Sequence, residues 1–244
     1  MFFFKKKENK ATDLSWLGTD MHSHLIPGID DGSPDMATSL ELIKGFVALG
    51  YQKIITTPHI LWEIYPNTVE IIQSGIGELN KAVKEAGIPV QLSAAAEYFI
   101  DEHFKELLKN KVSLLPISSN MVLVEFSMHT APLDLQEVLF EMQIQNYQPV
   151  IAHPERYTYL NRKRDFFDEL KSTGLFFQLN LLSLTGHYGN TVQELAEYLL
   201  KKDYYDFAGT DLHHHRHLAA LQKLGASPLL KRLEDSGTVK NYLL

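Results

Sequence analysis

Short apolar runs, of the length that buried strands use, alternate along the chain with longer stretches in which apolar residues recur every three or four positions. The runs cover residues 19–25, 53–58, 90–96, 121–126, 149–152, 175–179 and 205–209. The helix-periodic stretches cover 34–49, 67–86, 102–110, 133–147, 163–172 and 191–202, and the chain beyond 209 is mostly helical in pattern. Local punctuation agrees with these boundaries. Ser33 stands before Pro34, a capping residue followed by the proline that a first turn tolerates, and Asn67 and Asn190 stand where caps belong. Gly50, Gly87 and Gly174 follow helical stretches, where a left-handed residue ends a helix.

Seven strand–helix units in one run, with no linker, low-complexity tract or repeat, predict a parallel sheet with helices outside it. A closed or nearly closed barrel is favoured over an open doubly wound sheet, because no glycine-rich phosphate loop follows the first strand. The chain is read as one domain, 1–244, with an N-terminal extension at 1–17, a barrel core at 18–220 and a helical end at 221–244.

In αβ barrels the chemistry gathers at the C-terminal ends of the strands. The first strand here ends in Asp20-Met21-His22-Ser23-His24, the second in Thr57-Pro58-His59, the third at Glu97 and the fourth at Glu125. The fifth runs into His153-Pro154-Glu155-Arg156-Tyr157 and the seventh into Asp211-Leu212-His213. Residues two apart on a strand share a face, so His22 with His24, and Asp211 with His213, can each address one ion. A lone strand-end histidine is more often a hydrogen-bonded structural residue than a ligand. Several ionisable groups buried at one end of a barrel are costly unless they share cations. The convergence therefore predicts a metal site. Imidazole with carboxylate suits zinc, manganese or iron, and oxygen-rich donor sets lean to manganese or iron. His214, His215 and His217 are expected to be solvated or on the rim, and His103 and His187 have no motif context. His129, just past Glu125, is expected near the mouth, and Tyr157, Phe126 and Tyr98 are candidates to border a substrate ring.

Composition narrows the chemistry. A formal net charge of -7 gives no general attraction for nucleic acid or an anionic membrane, so an anionic substrate needs local positive charge. The absence of cysteine excludes disulfides, thiolate zinc sites and cysteine nucleophiles, including a cysteinyl-phosphate route. Three phenylalanines at 2–4 precede lysines at 5–7, the reverse of a secretory signal, and are expected to pack on the body as a strand or tail. No stretch approaches the ~20 apolar residues of a membrane span, so a cytoplasmic enzyme without stable membrane insertion is expected.

The segment Asp20-Met21-His22-Ser23-His24-Leu25-Ile26-Pro27-Gly28-Ile29-Asp30-Asp31-Gly32 resembles the opening motif of the polymerase-and-histidinol-phosphatase (PHP) superfamily. Together with Thr57-Pro58-His59, His153-Pro154-Glu155-Arg156-Tyr157 and Asp211-x-His213, it is most similar to the bacterial tyrosine phosphatase branch associated with capsular and exopolysaccharide synthesis. The resemblance covers about residues 18 to 220. It implies a distorted (β/α)7 barrel with a three-metal cluster at the C-terminal strand ends, Mn2+ or Fe2+/Fe3+, with Zn2+ also accommodated. By motif, one ion takes His22, His24, Glu97 and Asp211, and Glu97 bridges to a second held by Glu125 and His153. A third takes His59 and His213 with Asp31 alongside. The resemblance further implies that Arg156 grips the phosphate, that Asp31 orients water or helps protonate the leaving group, and that Arg216 takes the place of a second arginine. The implied reaction is hydrolysis of phosphotyrosine in proteins, with a bacterial tyrosine kinase as partner. A small-molecule phosphomonoesterase such as a histidinol phosphatase, or a non-catalytic metal-binding scaffold, remain the alternatives. The sequence does not fix the oligomeric state.

Overall fold

The computed structural model describes residues 12–244; the expectations for residues 2–7 lie outside them. The elements are β1 (Thr19–Asp20), α1 (Met36–Ala48), β2 (Lys53–Thr56), β3 (His59–Ile60), α2 (Val69–Glu85), β4 (Gln91–Ala94), β5 (Glu97–Phe99), α3 (Glu102–Lys109) and β6 (Met121–Glu125). They continue with α4 (Leu135–Ile144), β7 (Gln148–Ala152), α5 (Asp165–Ser172), β8 (Phe176–Asn180), α6 (Asn190–Lys201), β9 (Phe207–Gly209), α7 (His215–Leu221) and α8 (Pro228–Ser236). The fold is α/β, and every strand pairing is parallel: β1-β2-β4 form one sheet and β3-β5-β6-β7-β8-β9 the other.

Two expected strands, those at 53–58 and 90–96, lie in the first sheet, and the residues just past them, β3 and β5, pair in the second. The run at 53–58 breaks at Thr57 and Pro58, where proline has no N–H for the ladder. Thr57 N donates to Ser23 O instead, at 2.7 Å. The run at 90–96 breaks at Ala95 and Ala96, and Glu97 N then donates to Pro58 O at 3.1 Å. Past its two-residue strand β1, the first tract pairs with the chain beyond β9. Ser23 bridges Leu212 in parallel, Asp211 N donates to His22 O at 2.7 Å, and His24 N donates to Leu212 O at 3.0 Å. Asp20 Oδ1 adds a bond from Thr210 N at 2.8 Å. That bond ties the first tract to the chain past β9, and burial of the Asp20 carboxyl raises its pKa to about 7.

The helix starts differ slightly from expectation. α1 is capped by Asp35, whose side chain accepts from Thr38 N, whereas Ser33 bonds Asp35 O and Ser39 Oγ. α2 is capped by Thr68. Asn67 instead donates to Ile29 O and His59 O, at 2.9 and 2.8 Å, fixing the loop beside β3. Asn190 is the first residue of α6 and caps nothing. Gly50, Gly87 and Gly174 do follow helices, at φ 98°, 63° and 83°.

A large apolar layer packs the helices onto the sheets. A second, smaller cluster of Met21, Ile55, Ala95, Ile117, Leu123, Val150, Ala152 and Phe207 fills the space among the strands. Strand alternation carries this plug into the polar end: Leu123 and Glu125 share a face of β6, and Glu97 lies two residues beyond Ala95. The apolar floor thus excludes water from beneath the ionisable groups.

Candidate metal centre

The named strand-end residues meet around one pocket, with Glu97 at its middle. Glu97 Oε2 lies 3.1 Å from His22 Nε2, 3.5 Å from His24 Nε2 and 3.1 Å from His59 Nδ1, while Oε1 lies 3.1 Å from His153 Nε2. Register explains part of this, since β3 and β5 set His59 directly beside Glu97. Backbone shape explains more. His153 and Asp211 follow their strands at φ 35° and 50°, a left-handed conformation costly for such residues. Asp211 Oδ1 is thereby 3.3 Å from His22 Nε2 and 3.4 Å from His24 Nε2.

Ligand-type atoms lie within 4.8 Å of one another in four groups: His22, His24 and Asp211; His22, Glu97 and His153; His59, Glu97 and Glu125; and His24, Asp31, His59 and His213. The first resembles the motif-based grouping without Glu97, and the last resembles it with His24 added. The middle pair divides the remainder differently: Glu125 Oε1 is 3.1 Å from His59 Nδ1, whereas its Oε2 is 3.8 Å from His153 Nε2. His59 thus addresses carboxylates with both ring nitrogens, its Nε2 lying 3.5 Å from Asp31.

Whether such a set fits cations is tested by what its atoms lack. Glu97 Oε2 and His59 Nδ1 are buried and 3.1 Å apart, yet neither has a hydrogen bond of acceptable geometry. Donor atoms converging on a shared ion have this orientation; partners in a hydrogen bond do not. Electrostatics agrees. Burial would raise Glu97 and Asp211, but the neighbouring imidazoles outweigh it and hold both well below the usual carboxylate range. Burial would lower His59, but Glu97 overrides it and carries the imidazole up to about 10. Without ions, protons bound to imidazole supply the positive charge that the carboxylates require.

Several supporting residues were not among the expected ligands. The side chain of Asp30 is buried, and its Oδ2 accepts from His24 Nδ1 at 2.8 Å and from His59 N at 3.1 Å. Gln178 Oε1 sits 2.9 Å from His22 Nδ1, which assigns the proton to Nδ1 and leaves Nε2 for an ion. Asn180 donates to Asp211 Oδ2 at 2.9 Å. Gln178 and Asn180 are alternate positions of β8, the one expected strand with no imidazole or carboxylate at its end. Two amides in an otherwise apolar strand were the available signal. Gly209 completes this wall: a Cβ there would lie 2.6 Å from His22 Cβ and 2.9 Å from Gln178 Nε2. Gly209→Ala should cost about 1–3 kcal/mol by overpacking. At about 2–4 °C per kcal/mol for a chain of this size, thermal unfolding should register it; an unchanged midpoint would contradict the packing.

Arg156, in the 3-10 turn Pro154–Arg156, donates through Nη1 to Asp211 Oδ2 at 2.8 Å and lines the pocket. Glu155 of the same motif points away and is structural, accepting from Asn180 N, Ser183 Oγ and Tyr205 OH. The pocket encloses about 420 Å³, with Leu61, Tyr65, Phe99, Phe126 and Met128 beside the ionisable residues. Tyr157 is fully buried, stacked on Phe126 at 3.9 Å with its hydroxyl accepting from Phe126 N, so it cannot border a substrate. Tyr98 is also core, its hydroxyl accepting from Leu115 N. His214 and half-buried His217 line the pocket, His217 more enclosed than a solvated residue would be. Arg216 is exposed on α7 and is absent from the lining. His129 faces a separate cleft of about 630 Å³ beside α4.

The family model described as "Capsular polysaccharide synthesis, CpsB/CapC" matches residues 18–239. CapC of Staphylococcus aureus is 30% identical over 80% of this chain and 76% of its own length. The tyrosine-protein phosphatase YwqE of Bacillus subtilis is 28% identical over 80% and 76%. A crystal structure from a study of YwqE and of CpsB from Streptococcus pneumoniae, described as metal-dependent tyrosine phosphatases, superposes with a TM-score of 0.80. It is 27% identical and covers 93% of this chain and 90% of the other. A histidinol phosphate phosphatase from Lactococcus lactis shares the fold, at TM-score 0.51 and 16% identity over 91% and 94%.

Proposed function

This chain belongs to the CpsB/CapC family of capsular polysaccharide synthesis, and from that premise we propose that it is a metal-dependent protein-tyrosine phosphatase. The observation that carries the reading is the Glu97 carboxylate, set within 3.5 Å of imidazole nitrogens from His22, His24, His59 and His153 with its Oε2 unsatisfied. No cysteine competes as nucleophile.

We assign His22, His24, Asp31, His59, Glu97, Glu125, His153, Asp211 and His213 as the ligands of a three-ion cluster of manganese or iron, with zinc as a further occupant. Such ions supply Lewis acidity toward phosphoryl oxygens and make water ionisable near neutral pH. The protein's own groups do the rest. Arg156 offers a planar donor edge to the non-bridging oxygens. Asp31 has a side chain 52% exposed at the mouth, and burial, which would raise its pKa, is outweighed by His213, His59 and His24. It is therefore a carboxylate, suited to orienting water and not to giving up a proton. A phenolate leaving group, with pKa near 10, needs little such help. The apolar wall of Leu61, Phe99 and Met128, with Tyr65, suits a phenyl ring more than a polar alkyl phosphate, and Phe126 is fully buried behind it. Arg216, exposed on α7, is not assigned a role in binding phosphate.

Parallel pairing through both sheets, with the Ser23–Leu212 bridge between first and last tracts, supports reading the fold as a single-domain distorted (β/α)7 barrel. Among the described residues no helix is long and apolar enough to cross a membrane, and we place the enzyme in the cytoplasm. There a bacterial tyrosine kinase of polysaccharide synthesis is the proposed substrate protein. Purified protein should contain bound divalent metal and should turn over a phosphotyrosyl peptide at least 100-fold more efficiently in kcat/KM than histidinol phosphate, a preference of about 3 kcal/mol. Equal efficiencies, or the reverse order, would assign the site to a small phosphomonoester.

A further inference from the structure

We propose that Tyr188 is the positioning residue of Arg156, fixing the guanidinium against the pocket wall before phosphate arrives. The inference rests on reading the pocket as a phosphate site. An arginine just past a strand has a long side chain with much rotamer freedom to lose. Here two contacts have already removed it. Nη1 is bonded to Asp211 Oδ2, and the guanidinium carbon lies 4.7 Å from the centroid of the Tyr188 ring.

Tyr188 is itself anchored. Its hydroxyl accepts from Asn180 Nδ2 at 3.2 Å, and the same amide donates to Asp211 Oδ2 at 2.9 Å. Asn180 cannot turn over without losing the bond that its Oδ1 accepts from Leu182 N, at 2.9 Å. Arg156, Asp211, Asn180 and Tyr188 therefore close a ring of contacts in which each member fixes the next. The arginine side chain remains 26% exposed, and with Nη1 committed to Asp211 the Nη2–Nε edge is left for two phosphate oxygens. Tyr188 stands between Gly186 and Gly189, at φ 76° and 94°, conformations that glycine takes without strain and that set the tight loop carrying the ring to the pocket.

The test uses the full chain loaded with manganese and measures affinity for inorganic phosphate by calorimetry, alongside metal content. Tyr188→Leu and Tyr188→Met should weaken phosphate binding roughly 3- to 30-fold, the span of cation–π contacts from exposed to desolvated. Tyr188→Phe keeps the ring and should lose less, and metal content should be unchanged in all three. In an Arg156→Ala background the Tyr188 substitutions should have no further effect, because the group they position is gone. The same loss in both backgrounds, or no loss in the native one, would overturn the proposal. If the leucine and methionine variants do not fold, Tyr188→Phe in the two backgrounds gives the same discrimination at smaller amplitude. Phosphate binding without phosphotyrosine turnover would leave this inference standing while ending the phosphatase reading. No phosphate binding by the wild-type enzyme would end both.

Discussion

Chelation of the bound metal is expected to abolish turnover, and to leave a protein whose stability falls as the solution becomes alkaline. The sign follows from the imidazoles. His59 has a folded pKa of about 10 against an ordinary 6.5, and His22 and His24 are raised as well. A group raised on folding contributes stability that is complete below its unfolded pKa and is lost as pH climbs through the folded one. The metal-free unfolding temperature should therefore decline from about pH 6.5 to about pH 10. Glu97 and Asp211, depressed on folding from 4.5 and 3.8, act at the other end: their contribution is present above those values and is lost on further acidification. Ions need the neutral imidazoles, so loading releases protons and strengthens with pH. The difference in unfolding temperature between loaded and stripped protein should thus widen from pH 6 to pH 9. Full activity after exhaustive chelation, or a difference indifferent to pH, would remove the metal from the account.

The second large effect separates holding the ions from holding the phosphate. Glu97→Gln preserves shape but halves the acceptor capacity at the middle of the cluster and removes its charge. It should deplete bound metal and lower turnover by on the order of 10³ or more, beyond the 10- to 100-fold typical when only an outer-shell partner is lost. Arg156→Ala should lower turnover by about 10²–10³, as loss of a preorganised charge-stabilising donor does, while metal content stays at the wild-type level. Metal analysis of the two variants decides. A Glu97→Gln protein with its full metal complement, or an Arg156→Ala protein stripped of metal, would exchange or cancel the two assignments.

Much of the site was legible because imidazoles and carboxylates are rare at the ends of apolar strands, and the structure gathers the residues so marked around one pocket. What was not legible is instructive. Gln178 and Asn180 are neutral amides that bind through orientation, and nothing in their type separates that use from ordinary strand polarity. Asp30 and Asp31 are adjacent and alike, yet the fold buries one against His24 and leaves the other half-exposed at the mouth. Tyr157 belongs to a pocket motif but stands between two 3-10 turns and stacks on Phe126 in the core. Tyr188 comes from a loop remote in sequence and is coupled to Arg156 only through space. Each of the seven expected runs overlaps a strand, although the first is only Thr19–Asp20 and two further short strands, β3 and β5, begin just past the runs at 53–58 and 90–96. The passage to the second sheet after β2 and β4 was not foreseen, because Pro58 marks a break in the ladder but not which strand the chain joins next, and Ala95-Ala96 carries no break signal at all.

Those two transfers give the ions a mechanical part. His22 belongs to the tract that starts in the first sheet, while His59 and Glu97 lie on the second, each just past the point where its strand changes partners. Glu97 shares one ligand group with His22 and another with His59, so ions held in those two groups would rivet the sheets together at their junction. Opening that junction then requires breaking coordination bonds as well as ladder bonds, so loading should slow the escape of native chains to protease more than it speeds their return.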